Sequence, residues 1–408
     1  MFILEEPYVS RLLERTALEL GLPVLDTPAA RRALPEGGAA LWGEAAFAEA
    51  FAADRHRRIY SNSEHAIGWM ARHLSGTPLP DRIARFKDKV RFRELTADLY
   101  PEYRFAAVDL EGLAAFDPHS VPAPFVVKPA VGFFSLGVKV VGDPAAWPAV
   151  AAELQEAARR QGTLYPEAVV GFDRFIVEEV IEGEEFAVDA YYDSQGRAVV
   201  LDIMGHLFAD GADVSDRVYY TSPELIAAWR EPFTAFLESI GRRAGLADFP
   251  IHAELRVRPD GRIMPIEVNP MRFAGWCVAD MAHHAYGLNP YACFLEGRAP
   301  DWDRILPARA GKAFALVVAD LPSGLDLAAI ESVDHAAFLS RFTGILEYRE
   351  VDARKHPVFG FLFLELPGSE LAALKGILGE DLSRYLRFRE GTGDSPETRN
   401  HGACAAVR

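Results

Sequence analysis

The stretch that decides the fold is His252–Asn269, HAELRVRPDGRIMPIEVN. Side chains alternate between the faces of a strand, so His252, Glu254 and Arg256 share one side of its first half, with Ala253, Leu255 and Val257 on the other. In the second half Glu267 and Asn269 share a side, and Met264, Ile266 and Val268 take the opposite one. Asp260-Gly261 has the composition of a two-residue hairpin loop; it sets Pro259 opposite Arg262 and, counting outward, Glu254 opposite Glu267 and His252 opposite Asn269. Like charges directly across a strand pair repel, so this arrangement needs a compensating cation. Two carboxylates and a side-chain amide oxygen make a hard, all-oxygen set suited to Mg²⁺ bridging nucleotide phosphates. A solvated hairpin would also carry acids on its wet face. Here the opposite face is continuously apolar, and the acids share theirs with His252, Asn269 and, just beyond the strand, Arg272, which suits a strand packed on a core beside a polar site.

Half of the 408 residues are hydrophobic, enough for buried cores in two or three domains or lobes. The net charge of -16, from 59 acids against 43 lysines and arginines, opposes a large nucleic-acid footprint. Residues 1–8, MFILEEPY, have no basic leader and turn acidic at once, unlike a signal peptide. No uncharged apolar run approaches the roughly 18 to 20 residues of a membrane span. Cys277, Cys293 and Cys404 are odd in number and lack CxxC spacing, which argues against a disulfide framework and a zinc site. The expectation is a soluble cytoplasmic protein with neither nucleic acid nor membrane as partner.

Residues 1–82 open as strand (Met1–Leu4), helix (Tyr8–Leu20) and strand (Leu22–Leu25), an N-terminal α/β unit without a dinucleotide fingerprint. A helical run follows near Asp88–Leu99, then the Pro-rich linker at 121–124. Next come strand, loop and strand across Phe125–Val141, and a helix through Ala145–Gln161. Arg174–Val180 and Phe186–Tyr192 read as strands flanking the acidic turn at 182–185, and Met281–Tyr291 as a helix after the hairpin. Residues 311–390 hold strand-like AFALVVADL and FGFLFLEL around helix-like DHAAFLSRF and SELAALKGIL, a small C-terminal α+β domain. Residues 391–408 lack periodicity and read as a disordered tail.

Lys128 ends an apolar strand and precedes a loop with Gly132, Ser135 and Gly137, which can lay backbone N–H groups and a solvated cation around phosphate oxygens. The P-loop pattern GxxxxGK[ST] is missing. In order along the chain, PFVVKP with its loop, then FIVEEVIEGEEF, then HAELRVRPDGRIMPIEVNPMRFAG, resemble the ATP-grasp superfamily over residues 83–300.

That resemblance implies an ATP-grasp domain of two lobes holding ATP between them, with a preceding α/β domain and a small α+β domain after it. It makes Lys128 the phosphate-contacting lysine and Lys89 the earlier nucleotide-contacting one, with Lys87 as its rival. Glu178 would accept from the adenine amino group, backbone groups at Glu179 and Ile181 would read the ring edge, and Glu185 would hold the ribose hydroxyls. Glu254, Glu267 and Asn269 match the magnesium ligands, Mn²⁺ being the alternative metal, and Arg272 the arginine that stabilises the transferred phosphoryl group. Two departures stand out. FFSLG is glycine-poor, and NPMR replaces the usual NPR, which displaces Arg272 by one position.

On the metal side of the hairpin, Arg256 is a candidate to receive a carboxylate and His252 to orient a phosphate or act as a base. The irregular, aromatic segment Gly205–Leu225 reads as a cover over the substrate pocket, with His206, Asp216, Arg217 and Tyr219 as candidates. The resemblance implies a carboxylate-amine ligase, nearest to the dipeptide-forming amino-acid ligases: a small carboxylate becomes an acyl phosphate that an amine captures. A phosphotransferase acting on a hydroxyl is the alternative. The partners are then a small-molecule carboxylate and amine, with a homodimer left open.

Overall fold

The computed structural model describes residues 1–54, 56–132, 137–161, 171–208, 217–322 and 324–389. Four two-residue strands, β1 (Phe2–Ile3), β2 (Val24–Leu25), β3 (Leu41–Trp42) and β4 (Tyr60–Ser61), make a parallel sheet in the order β3-β2-β1-β4. Parallel neighbours need crossovers, supplied here by Arg11–Leu20 and the short helices after it. The first helix starts at Arg11 rather than at Tyr8. The Ser10 side chain accepts from the Leu13 N–H as a cap, and Gly21 ends the helix in the left-handed region.

A second sheet is antiparallel, in the order β5-β8-β6-β7, from β5 (Phe105–Asp109), β6 (Phe125–Val131), β7 (Lys139–Val141) and β8 (Gly171–Glu179). The helix Trp147–Gln161 closes one face over Phe125, Val127, Phe175 and Val177. The other face meets the helix Lys89–Thr96 through Val90, Ala130 and Ile176.

The third sheet has eight strands in the order β13-β12-β9-β10-β11-β14-β17-β16. These are β9 (Glu184–Tyr192), β10 (Ala198–His206), β11 (Val218–Thr221), β12 (Phe249–Val257), β13 (Ile263–Pro270), β14 (Lys312–Asp320), β16 (Ile345–Glu350) and β17 (Val358–Pro367). β15 (Ile330–Val333) and β18 (Leu386–Phe388) pair separately. The segment expected as a C-terminal domain thus places its long strands in the same sheet as the hairpin. The link is β11, inside the stretch expected to be irregular. Its Val-Tyr-Tyr-Thr run has the β-branched and aromatic composition of a strand, and it pairs with β14 from Val218 to Thr221. The helix expected over Met281–Tyr291 is two helices: Gly287 ends the first at φ 68°, and the Asn289 side chain with Pro290 starts the second. SELAALKGIL forms 3₁₀ turns within Gly368–Ile377. The expected tail at 391–408 lies outside the described residues.

β12 and β13 form the expected hairpin by a different route. Glu254 pairs with Glu267 and His252 with Asn269, but Val257 pairs with Ile263 and Arg256 with Met264. Three residues, not two, turn the chain between Arg258 and Arg262, whose backbones bond at 3.0 Å. The one-residue offset is absorbed by a bulge opposite Glu254 and Leu255, at Pro265-Ile266, because Pro265 has no N–H for the ladder. Met264 therefore faces with Arg256 rather than with Val268 and packs on Tyr100 and Ile181.

One further row of the large sheet is polar and buried. Asp189 and Asp202 are direct cross-strand partners, exposed to 1% and 0%. Asp202 Oδ1 accepts from the Ile203 N–H at 2.8 Å and the Thr221 hydroxyl at 3.0 Å, while Oδ2 of each acid has no hydrogen-bond partner. Burial, then the Asp189 charge, push the Asp202 carboxyl up to about 7. An acid whose pKa is higher folded than unfolded binds its proton more tightly when folded. Stability then falls as pH rises from about 4 to about 7 and levels off above that. Chemical unfolding at successive pH values should show a component approaching ~1.4 kcal/mol per pH unit in this window. Asp202→Asn, whose amide can donate to Asp189, should remove it; the same slope in the variant would refute this reading.

Candidate active site

The cleft lies where the face of the large sheet that carries Glu254 and Glu267 meets β6 and β8 of the second sheet. Burial, then the charge of Glu267, push the Glu254 carboxyl well above the usual range. Burial also opposes ionisation of Glu267, but Lys89, and behind it Lys128, hold that carboxyl well below the usual range. Lys89 Nζ sits 3.2 Å from Glu267 Oε2. Asn269 Nδ2 donates to Glu267 Oε1 at 3.1 Å, so its amide oxygen is not the atom spent on that contact. His252 Nδ1 lies 2.8 Å from Asp189 Oδ1, which also accepts from the Ala274 N–H at 2.8 Å. The other ring nitrogen, Nε2, lies 3.9 Å from Glu254 Oε1.

Lys128 is buried at 4% exposure, which corrects its reading as a solvated cation. Burial lowers its pKa, against the pull of Glu178, whose Oε1 is 2.7 Å from Nζ. The other oxygen of Glu178 accepts from Arg93 Nε at 2.5 Å. Burial notwithstanding, Arg93 and Lys128 bring the Glu178 carboxyl down to about 2. With both oxygens engaged by cations, Glu178 anchors Lys128 and Arg93 from the wall of the small cavity between the sheets. Arg93 was not singled out from the sequence, although it stands four residues after Lys89 on one helix and so shares its face. It also donates to Pro265 O at 2.6 Å and Ile266 O at 3.1 Å, the carbonyls of the β-bulge.

Arg256 has its charge met within the fold. Nε and Nη2 reach Glu185 Oε2 at 3.0 and 2.8 Å, and Nη1 donates to the Ile181 carbonyl, so the carboxylate it receives in this structure is that of Glu185 rather than a substrate's. The same contacts bring Glu185 and Ile181 together across the turn between β8 and β9. The Glu179 carbonyl accepts from the Tyr103 hydroxyl at 2.7 Å, and its carboxylate from the Arg104 N–H at 2.8 Å. Between the sheets a cavity of about 20 Å³ is lined by Val126, Lys128, Ile181, Arg256 and Ile266, and beside it a cavity of about 210 Å³ by Tyr103, Pro124, Glu182 and Met264.

Arg272 reaches the same cleft despite the extra residue before it. Met271 takes the left-handed conformation, φ 68°, with its N–H on Pro250 O at 2.9 Å and its carbonyl accepting from the Ser61 N–H at 3.0 Å. Arg272 Nε and Nη2 then donate to Glu64 Oε1 at 3.2 and 2.8 Å. Lys87 contacts the other oxygen of Glu64 and donates to Gly132 O at 3.2 Å, a carbonyl that Lys89 approaches at 3.4 Å. Glu64 was not singled out from the sequence, where an acid in a short N-terminal loop carries no pattern.

Gly137, φ 76°, packs closely on the Pro129 and Phe172 side chains, in a conformation that favours glycine. Ser135 and Asp216 lie outside the described residues. Arg217 is structural: Nε is 2.6 Å from Asp320 Oδ1, and Nη1 donates to the carbonyls of Ile377, Leu378 and Glu380. His206 lies edge-on to Tyr219, ring centroids 4.3 Å apart. Burial, then the charges of Glu254 and Glu185, raise the Tyr219 hydroxyl, so this ring stands on the acid side of the sheet. No helix among the described residues is long and apolar enough to cross a membrane.

A model of the ATP-grasp domain family matches residues 121–280. A comparison with curated protein sequences gives no match. Among solved structures, L-amino acid ligase from Bacillus licheniformis is 18% identical at a TM-score of 0.68, the alignment covering 95% of this chain and 98% of that one. N5-carboxyaminoimidazole ribonucleotide synthetase from Thermotoga maritima is 13% identical at 0.60, covering 95% and 98%. Biotin carboxylase from Campylobacter jejuni, solved with β-γ-ATP, is 14% identical at 0.59, covering 95% and 92%. At these identities the likeness is one of fold. Residues 121–280 match the ATP-grasp domain family, and the chain built around them has the ATP-grasp fold.

Proposed function

We propose that this chain is an ATP-dependent carboxylate-amine ligase. It activates a small carboxylate, an amino acid, as an acyl phosphate, joins it to an amine, and releases ADP and phosphate. The observation that carries this reading is the half-buried, directly opposed pair Glu254 and Glu267, ringed by Lys89, Lys128 and Arg272 within an ATP-grasp domain. Among the described residues no three His, Cys, Asp or Glu gather as a closed metal cage. Two carboxylates with the Asn269 amide oxygen are a hard, all-oxygen set that would suit Mg²⁺ or Mn²⁺. The metal would be held by Glu254, Glu267 and Asn269 and would neutralise phosphate charge during transfer.

The side chains divide the remaining work. Lys128, fixed by Glu178, and Lys89, fixed by Glu267, present ammonium groups to the phosphates. Ile181 and Met264 offer an apolar seat for the base, and Glu185, steered by Arg256, stands where a ribose hydroxyl would be read. Arg272 stabilises the charge that grows on the transferring group, and His252 Nε2 is free to take a proton or orient a phosphate. Burial between the two sheets strengthens each of these contacts by excluding water.

Glu267→Gln and Glu254→Gln should each reduce Mg²⁺-dependent nucleotide binding at least about tenfold while the fold survives. Undiminished ADP formation at saturating Mg²⁺ in both variants would end the metal assignment. Lys128→Met should weaken ATP binding and also destabilise the chain, because it strips one of two cations from a buried carboxylate. Arg93 remains in place, so the loss should fall at or below the lower end of the about 3–5 kcal/mol typical of a broken buried pair. Thermal unfolding and ATP titration measure the two effects, and a variant as stable as the parent would refute the buried pairing.

Reaction class is tested with substrate carboxylate carrying a heavy-oxygen label. One labelled oxygen should appear in the released inorganic phosphate, since it bridges carbon and phosphorus in the acyl phosphate and departs with phosphorus when the amine attacks. A phosphotransferase acting on a hydroxyl would leave the phosphate on the acceptor. Productive turnover without label in phosphate would overturn the ligase mechanism.

A further inference from the structure

Glu64 is the third residue beyond β4, on the side of a parallel sheet where the carboxyl ends of strands face ligands. Its turn is fixed from several sides. Asn62 Nδ2 donates to the carbonyls of Glu5 and Tyr8, each at 2.7 Å, its Oδ1 accepts from the Glu5 N–H at 2.9 Å, and the Ser61 hydroxyl donates to Ser63 O at 2.8 Å. The carboxylate is 9% exposed and both its oxygens are engaged, Oε1 by Arg272 and Oε2 by Lys87. These two cations come from segments far apart in the chain, one after β13 and one at the end of the helix before Lys89–Thr96. Ser61, three residues earlier, also bonds the Met271 carbonyl, so the N-terminal unit grips both the backbone and the side chain of the displaced arginine.

We propose that Glu64 is a positioning residue for phosphoryl transfer: it aims Arg272 and Lys87 at the transferring group and thereby makes the N-terminal unit part of the active site. The proposal rests on the reading of the cleft as a site of phosphoryl transfer from ATP. A guanidinium has five N–H donors; Glu64 takes two and the Phe273 carbonyl a third, at 3.0 Å, leaving two for a ligand. An arginine already ordered needs no rearrangement as charge develops, which makes it a transition-state contact rather than a ground-state one.

The test uses the full chain with Mg²⁺, ADP and fluoroaluminate, a mimic of the phosphoryl group in transfer, beside Mg²⁺ and ADP alone. Glu64→Gln should bind MgADP within about twofold of wild type yet lose about tenfold or more in affinity for fluoroaluminate. Arg272→Ala should show the same split. The double variant should fall within about threefold of Arg272→Ala, because one residue acts largely through the other. Equal losses for MgADP and fluoroaluminate, effects of the two changes that multiply, or no formation of the complex by wild type would each overturn the proposal. If Glu64→Gln fails to unfold cooperatively, Glu64→Asp keeps the charge one methylene further back and should show a smaller split of the same sign; wild-type fluoroaluminate affinity in that variant would overturn the proposal. ADP release with carboxylate and amine pairs is scored separately. A wild type that forms the fluoroaluminate complex but releases ADP with no such pair defeats the ligase reading alone and leaves the role of Glu64 supported.

Discussion

Two carboxylates held directly opposite one another inside a protein are the constraint on which this structure turns. Glu254 and Glu267 are cross-strand partners on a half-closed face, and like charges in that position destabilise a sheet. The fold answers with cations delivered from elsewhere in the chain. Lys89 comes from a helix, Lys128 from a strand of the second sheet, and Arg272 from the segment just past the hairpin. Lys128 is itself buried and Lys89 and Arg272 are half-buried, so each has an acid of its own or shares one. Lys128 and Arg93 share Glu178; Arg272 and Lys87 share Glu64; Arg256 has Glu185. The cleft is thus an interleaved lattice of opposite charges, in which Glu178 and Glu64 each hold two cations.

That lattice is also what ties the sheets together. Arg93 bonds Glu178 on the second sheet and the Pro265 and Ile266 carbonyls on the third, so one side chain bridges the two walls of the cleft. Those carbonyls are available because Pro265, lacking an N–H, breaks the ladder into a bulge. The bulge also turns Met264 onto the Ile181 side. A single imino acid therefore shapes both the electrostatic bridge and the apolar wall of the cavity.

Some of the site is legible in the chain as written. Alternation in HAELRV and IEVN is a local property of strands, so the shared face of Glu254, Glu267, Asn269 and His252 follows from a count of residues. The count reached the right pairing although the turn has three residues and not two, because the bulge between turn and acids shifts the register back by one. Gly137 and Lys128 were visible as a loop and its entrance, but the burial of Lys128 was not, since the carboxylate that admits a lysine to the interior lies fifty residues further on. Arg217 shows the reverse case. Its aromatic, irregular neighbourhood suggested a substrate cover, whereas it clamps the turns near Leu378 to the large sheet.

What the sequence by itself determined is the material whose physics is local: the strand faces, the order of the motifs, and hence the acid pair with its need for cations. Only the tertiary structure decided which cations meet that need and how each is held. Glu64 and Arg272 are 208 residues apart, and Arg93 and Glu178 are 85. Pairings across such separations depend on how whole sheets pack, and the residues that make them carry no periodicity that would announce them. The same holds for the C-terminal strands, whose apolar runs would suit a sheet of their own as well as the one they join. The edge offered by β11 settled that choice, because an unpaired row of backbone donors and acceptors in a buried sheet must find a partner.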